Sequence, residues 1–196
     1  MKNIVFDLGQ VLLSYEPLEY LKKYYDNYQH FNKIIFKNPL WLKLDEGTLT
    51  RDEFIQILSD QYPEYTKEIN DILFGWIELL QPIKQNIALL PKLKEKGYRL
   101  YIISNFHLDA YNRFLKNEEW ISLFSGMIIS AQEKLIKPDL KIFKLFLKRY
   151  DLESDETLFI DDSLKNIKAC EMLGIHGLYL PEALTLESKL KELNIL

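Results

Sequence analysis

Compact apolar runs alternate with helix-spaced stretches along most of this chain. Ile4-Val5-Phe6, Leu100-Tyr101-Ile102-Ile103 and Leu158-Phe159-Ile160 are rich in branched and aromatic residues and have no polar face. That is the pattern of strands buried on both sides of a parallel sheet. Beyond residue 82 the spacing predicts helix at 84–96, with Pro91 inside it, and strand at 99–103. It then predicts helix at 109–116, strand at 127–130, helix at 139–150, strand at 157–160, helix at 164–173, strand at 177–180 and helix at 183–193. Such alternation implies an α/β fold with parallel strands joined by right-handed crossovers.

Residues 16–81 differ. This stretch has no clear buried strand, is dense in Tyr, Phe and Trp, and carries helical spacing at Leu18, Leu21 and Tyr25 and again at Ile69, Ile72, Leu73, Trp76 and Leu80. Thr50-Arg51-Asp52-Glu53 is a capping-box pattern that starts a helix through Phe54, Ile57 and Leu58. The organisation expected is a catalytic core formed by 1–15 and 82–196, with a small helical lobe, 16–81, inserted after the first strand.

The three buried runs each stop at a reactive side chain: Asp7, Ser104-Asn105 and Asp161-Asp162. In open α/β sheets ligands gather beyond the carboxyl ends of the strands, so these groups share one rim. Asp7 there can attack phosphorus, bind a metal, or cap a turn at Gly9. Two adjacent carboxylates with a third nearby repel unless a cation lies among them, and hard oxygen ligands suit Mg2+. A helix N-terminus would account for one of the Asp161-Asp162 pair, not for both together with Asp7. Ser104-Asn105 offers a hydroxyl and an amide for phosphoryl oxygens, or caps the next helix. Lys137, fixed before Pro138, can offset the negative charge; Lys134 lies close by in sequence.

Composition narrows the classes. With 196 residues, 47% of them hydrophobic, the chain can bury a full core. A net charge of −4 supplies no field for nucleic acid or anionic lipid. No apolar run approaches a membrane span, and no signal-peptide pattern is present. The single cysteine, Cys170, lies in a helix pattern, fits a reducing cytoplasm and is expected to be inert. The pattern sets no oligomeric state.

Phe6-Asp7-Leu8-Gly9-Gln10-Val11-Leu12, Ile103-Ser104-Asn105, Lys137-Pro138-Asp139 and Phe159-Ile160-Asp161-Asp162-Ser163 with Asn166 occur in an order and spacing that resemble the haloacid dehalogenase superfamily of hydrolases. Asp45-Glu46-Gly47-Thr48-Leu49 and the Asp-Leu-Gly start look closest to its bacterial α-D-glucose-1-phosphate phosphatase-like group. The resemblance implies a Rossmann-like core under a helical cap, and Mg2+-dependent hydrolysis of a small phosphorylated metabolite, a sugar phosphate, through an aspartyl-phosphate. It implies Asp7 as nucleophile, Ser104 and Asn105 as the phosphoryl site, and Lys137 as the group that orients Asp7. The metal would lie on Asp7, Asp161 and Asp162, directly or through water, and on the backbone carbonyl of Gly9.

Gly9 is also the departure. Phosphatases of this superfamily mostly carry an Asp two residues after the nucleophile, which protonates the leaving group and then activates water. Such help is worth roughly 10²–10⁴-fold. Either the substrate has a good leaving group, such as the anomeric oxygen of a sugar, or another group or a water supplies the proton; Gln10 and His107 qualify by position only. Two further readings remain: a non-catalytic binding protein of the same fold, and a metal-independent 2-haloacid dehalogenase, which the Asp161-Asp162 pair disfavours. Tyr15, Trp41, Asp45, Glu46 and Trp76 are candidates for substrate contact or for the interior and surface of the helical lobe.

Overall fold

A computed structural model describes residues 1–196. β1 (Asn3–Phe6) is followed by β2 (Leu13–Ser14) and then by helices α1 (Pro17–Tyr24), α2 (Tyr28–Phe31), α3 (Trp41–Glu46), α4 (Arg51–Gln61) and α5 (Thr66–Gly75). β3 (Gln81–Pro82) leads to α6 (Lys84–Ile87), α7 (Leu89–Glu95), β4 (Arg99–Ser104), α8 (Leu108–Arg113), β5 (Gly126–Ile129) and α9 (Ser130–Glu133). α10 (Leu140–Tyr150), β6 (Thr157–Asp161), α11 (Leu164–Glu171), β7 (His176–Tyr179) and α12 (Leu186–Glu192) complete the chain.

β5-β4-β1-β6-β7 form one parallel sheet with β1 at its centre. Side chains alternate between its faces. Ile4, Phe6, Leu100, Ile102, Leu158 and Ile160 enter one apolar layer, while Val5, Tyr101, Ile103 and Phe159 enter the other. Both layers are buried, which is why these strands read as unbroken apolar runs. The architecture is the α/β, Rossmann-like one expected.

The helices between β2 and β3 build a separate interior around Leu21, Ile35, Phe54, Leu58, Ile69 and Ile72, all fully buried. The Thr50 capping box forms as the sequence predicts: the Thr50 hydroxyl accepts from the Glu53 N–H and the Glu53 carboxylate accepts from Thr50 N–H at 2.8 Å. Two features were not predicted. α2, the π-turn after it and α3 fill a stretch whose crowded aromatics hide the helical period. β2 and β3 pair antiparallel, Leu13 opposite Pro82 and Ser14 opposite Gln81, so the strands that enter and leave the lobe run side by side. The helix expected over 84–96 is two helices that meet at Ala88, with Pro91 in the first turn of the second, where its missing N–H costs nothing.

The lobe is fastened to the sheet layer at two places. Arg51 Nη1 of α4 lies 2.9 Å from Asp109 Oδ2 of α8, and its guanidinium lies 4.0 Å over the Phe74 ring. On the other side the Ser130 hydroxyl donates to the Asp45 carbonyl. Beside it, Gly47 ends α3 at φ 73°, and a Cβ there would collide with the Ala131 carbonyl. Gly47→Ala is therefore expected to cost about 1–3 kcal/mol and to lower the urea midpoint; an unaltered midpoint would mean that α3 does not seat on α9.

Candidate active site

Three neighbouring strands deliver their last residues to one rim. Asp7 follows β1 and donates its N–H to the Ile160 carbonyl at 2.9 Å, continuing the ladder with β6. Ser104 ends β4 and Asp161 ends β6. Lys137, in the segment between α9 and α10, reaches beneath them. Its Nζ lies 2.9 Å from Asp7 Oδ1 and 2.6 Å from Asp161 Oδ2, with the ammonium fully buried. Lys134, its neighbour in sequence, is exposed.

Asn105 is what fixes Lys137. Its amide bonds the Lys137 backbone twice, accepting from the N–H at 2.8 Å and donating to the carbonyl at 3.0 Å. The Asn105 side chain thus points to Lys137 and is already engaged. The Ser104 hydroxyl is the reverse case: it is buried and has no hydrogen-bond partner in the protein. An unmade buried hydrogen bond costs about 1–3 kcal/mol, so this hydroxyl is placed for an external acceptor.

Charge is out of balance here. One ammonium faces Asp7, Asp161 and Asp162. Burial pushes the Asp7 carboxyl up to about 7; the Lys137 ammonium pulls against that, and the Asp161 charge adds to it. Burial and the adjacent Asp161 raise Asp162 as well. Burial would lower Lys137, but the charges of Asp7 and Asp161 outweigh it and hold the ammonium above its usual value. Oxygens of Asp7, Asp161 and Asp162 lie within 4.8 Å of one another. This hard-oxygen set, with surplus negative charge, fits a divalent cation of the Mg2+ type. Its members are not equivalent. Asp161 Oδ1 accepts from Ser163 N–H at 2.8 Å, the Asn166 amide spans both its oxygens at 3.0 Å, and Lys137 takes Oδ2. Asp162 is half-buried, and no protein side chain donates to its carboxylate.

The turn after Asp7 separates the two residues considered for the missing proton donor. Gln10 holds φ 54°, and its amide donates to the Tyr15 carbonyl at 2.9 Å, so the side chain is tied to the backbone. His107 is buried with its ring 4.5 Å from Trp41 and 4.8 Å from Trp76, and Nε2 lies 3.0 Å from Asp45 Oδ1. These residues, with Gly9, Leu13, Tyr15, Leu80, Asn105 and Phe106, line a cavity of about 200 Å³ between the lobe and the strand ends. Trp76 is therefore both lobe interior and cavity wall. Asp45 belongs to the cavity too and is not a solvated turn. Gly9 itself has no positive φ, and a Cβ there meets nothing within 4 Å, so neither backbone nor space excludes a side chain. Cys170 is buried and pushed up to about 12 by burial, in keeping with an inert thiol.

A family model described as haloacid dehalogenase-like hydrolase matches residues 4–179. The chain belongs to that family of hydrolases. Among its relatives, the sesquiterpene phosphatase astK of Aspergillus oryzae is 28% identical over 98% of this chain and 96% of its own length. The D-ribitol-5-phosphate phosphatase of Bacteroides thetaiotaomicron is 26% identical over 89% of both chains. Two other relatives are much longer; the chain spans 15% and 33% of their lengths. A haloacid dehalogenase family enzyme of B. thetaiotaomicron, solved in complex with magnesium and inorganic phosphate, superposes with a TM-score of 0.75. It is 27% identical, and the match covers 91% of this chain and 93% of that one.

Proposed function

We propose that this hydrolase is a Mg2+-dependent phosphatase that cleaves a small organic phosphate monoester through an aspartyl-phosphate on Asp7. The convergence of three carboxylates around the one buried ammonium of Lys137 carries the reading: alone it is overcharged, and a divalent cation with a phosphoryl group completes it. Asp7 Oδ1 takes Lys137 and the Leu8 N–H at 2.7 Å, so Oδ2 is the oxygen that attacks. The attacking oxygen bonds to phosphorus as the bond to the departing alcohol oxygen breaks. Water then attacks the same phosphorus and frees Asp7. Ser104 donates its unpartnered hydroxyl to a phosphoryl oxygen, while the Asn105 side chain holds Lys137 in place. Asp7, Asp161, Asp162 and the Gly9 carbonyl would hold Mg2+, which supplies charge neutralisation on the phosphoryl oxygens.

In this reading 1–15 and 82–196 are the catalytic core, and 16–81 is a cap whose Trp41, Asp45 and Trp76 face the alcohol being released. The compartment is the cytoplasm, which suits a chain with one buried cysteine. The substrate class is a sugar phosphate, as for the ribitol-phosphate relative. The cavity favours a second class: six of its ten wall residues are hydrophobic, which suits an apolar alcohol, the class handled by the sesquiterpene relative. Turnover of ribitol 5-phosphate against isopentyl phosphate, both esters of primary alcohols, separates the two.

Activity on p-nitrophenyl phosphate is expected to vanish in EDTA and to return with Mg2+. Full turnover in chelator, or no Mg2+ binding by calorimetry, would overturn the metal assignment.

A further inference from the structure

Within the phosphatase reading, the cavity beside Gly9 must also solve a proton problem. Alkoxides are poor leaving groups, and the residue two places after Asp7 has no side chain. Of the side chains lining that cavity, only Asp45, His107 and Tyr15 are ionisable. Burial and the nearby Asp45 charge hold the Tyr15 hydroxyl well above its usual range, so it is a reluctant acid. His107 remains. It stands two residues beyond Asn105, where β4 ends and α8 begins, yet its side chain does not cap α8. The indoles of Trp41 and Trp76 close on its ring, and Asp45 of α3 faces Nε2. The carboxylate is 3.0 Å from Nε2 but not aligned as its hydrogen-bond acceptor, and no protein group bonds either ring nitrogen.

We propose that His107, packed between Trp41 and Trp76 with Asp45 beside it, is the general acid and base of this chain, in place of the carboxylate missing at Gly9. As the Asp7 oxygen bonds to phosphorus and the phosphorus–alkoxide bond breaks, the proton on Nδ1 passes to the departing oxygen. In the second half Nδ1 takes a proton from the attacking water as its oxygen bonds to phosphorus and the phosphorus–Asp7 bond breaks. The imidazolium is thereby restored, and phosphate leaves. Asp45 touches no reacting atom and acts through its charge beside the ring. Because Asp45 belongs to the lobe and His107 to the sheet layer, the acid is assembled only when the two are docked.

The test compares kcat/KM for p-nitrophenyl phosphate, whose leaving group needs no proton, with that for isopentyl phosphate, whose leaving group does. His107→Asn is expected to raise the ratio of the two by roughly 10²-fold, within the range general acids supply. Adding Gly9→Asp to His107→Asn should bring the ratio back by about tenfold, because that position has room for the carboxylate. Asp45→Asn should shift the ratio in the same direction by a smaller factor. His107→Gln serves if His107→Asn does not fold. Equal losses on both substrates, or no rescue by Gly9→Asp, would overturn the role of His107. If the wild type hydrolyses neither ester with Mg2+ present, the phosphatase reading itself fails.

Discussion

Asp7→Asn is expected to abolish turnover, by about 10⁴-fold or more, the scale on which loss of a covalent nucleophile is felt. An amide oxygen does not attack phosphorus at a useful rate, and neither neighbour can replace it: Asp161 is fixed in place by Ser163, Asn166 and Lys137, and Asp162 is attached one residue further along another strand. The fold should survive. Asn keeps the shape, accepts the Leu8 N–H, and removes one of three crowded negative charges while Lys137 retains Asp161. Circular dichroism and thermal melting of the variant should match the wild type. Mass spectrometry of acid-quenched wild type should find phosphate on Asp7. A variant with more than a few per cent of wild-type kcat would refute attack by this residue.

Lys137→Met has the largest expected effect on stability. Met fills nearly the same space but leaves the Asp7 and Asp161 carboxylates buried with no countercharge. Breaking one side of a buried ion pair typically costs about 3–5 kcal/mol, or roughly 10 °C in Tm for a chain of this size. Activity should be lost as well. Asp7→Asn added to Lys137→Met should recover part of the lost stability, because it removes one of the stranded charges. The two substitutions are then coupled, and a double-mutant cycle reads the coupling directly. Additive losses would mean that Lys137 supports the fold independently of Asp7, for instance through its ammonium 5.2 Å over the Phe159 ring.

Asp7, Ser104 and Asp161 were legible in the sequence because two-sided burial writes strands as apolar runs, and the run marks its own end. Lys137 was different. Only the following Pro138 and the motif resemblance separate it from exposed Lys134, and its burial is set by Asp7 and Asp161, far away in sequence. Asn105 was legible as a residue of the site but not in its attachment, since its bonds to Lys137 span 32 positions. The lobe was read as helical without α2 and α3, which are short and whose crowded aromatics obscure the period. The link between His107 and Asp45, and the seat of Gly47 on Ala131, are tertiary contacts with no local signature. Gln10 and His107 were equal by position; a left-handed turn and one bond to the Tyr15 carbonyl separate them.

The place of β1 at the centre of the sheet has a kinetic consequence. Its register partners are 99–102 on one side and 157–160 on the other. Closing loops of that length costs chain entropy before any strand pairing rewards it, so the sheet should form slowly. The lobe's interior, by contrast, lies wholly between Leu21 and Leu73 and can consolidate locally. During synthesis the helical lobe should therefore be able to compact while β1 is still an unpaired apolar strand. Once β4 has paired, one edge of that strand still stays open until β6 has left the ribosome, a period in which chaperone capture or aggregation competes with folding. The strand bearing the nucleophile is made before its partners and becomes part of a site only when they arrive.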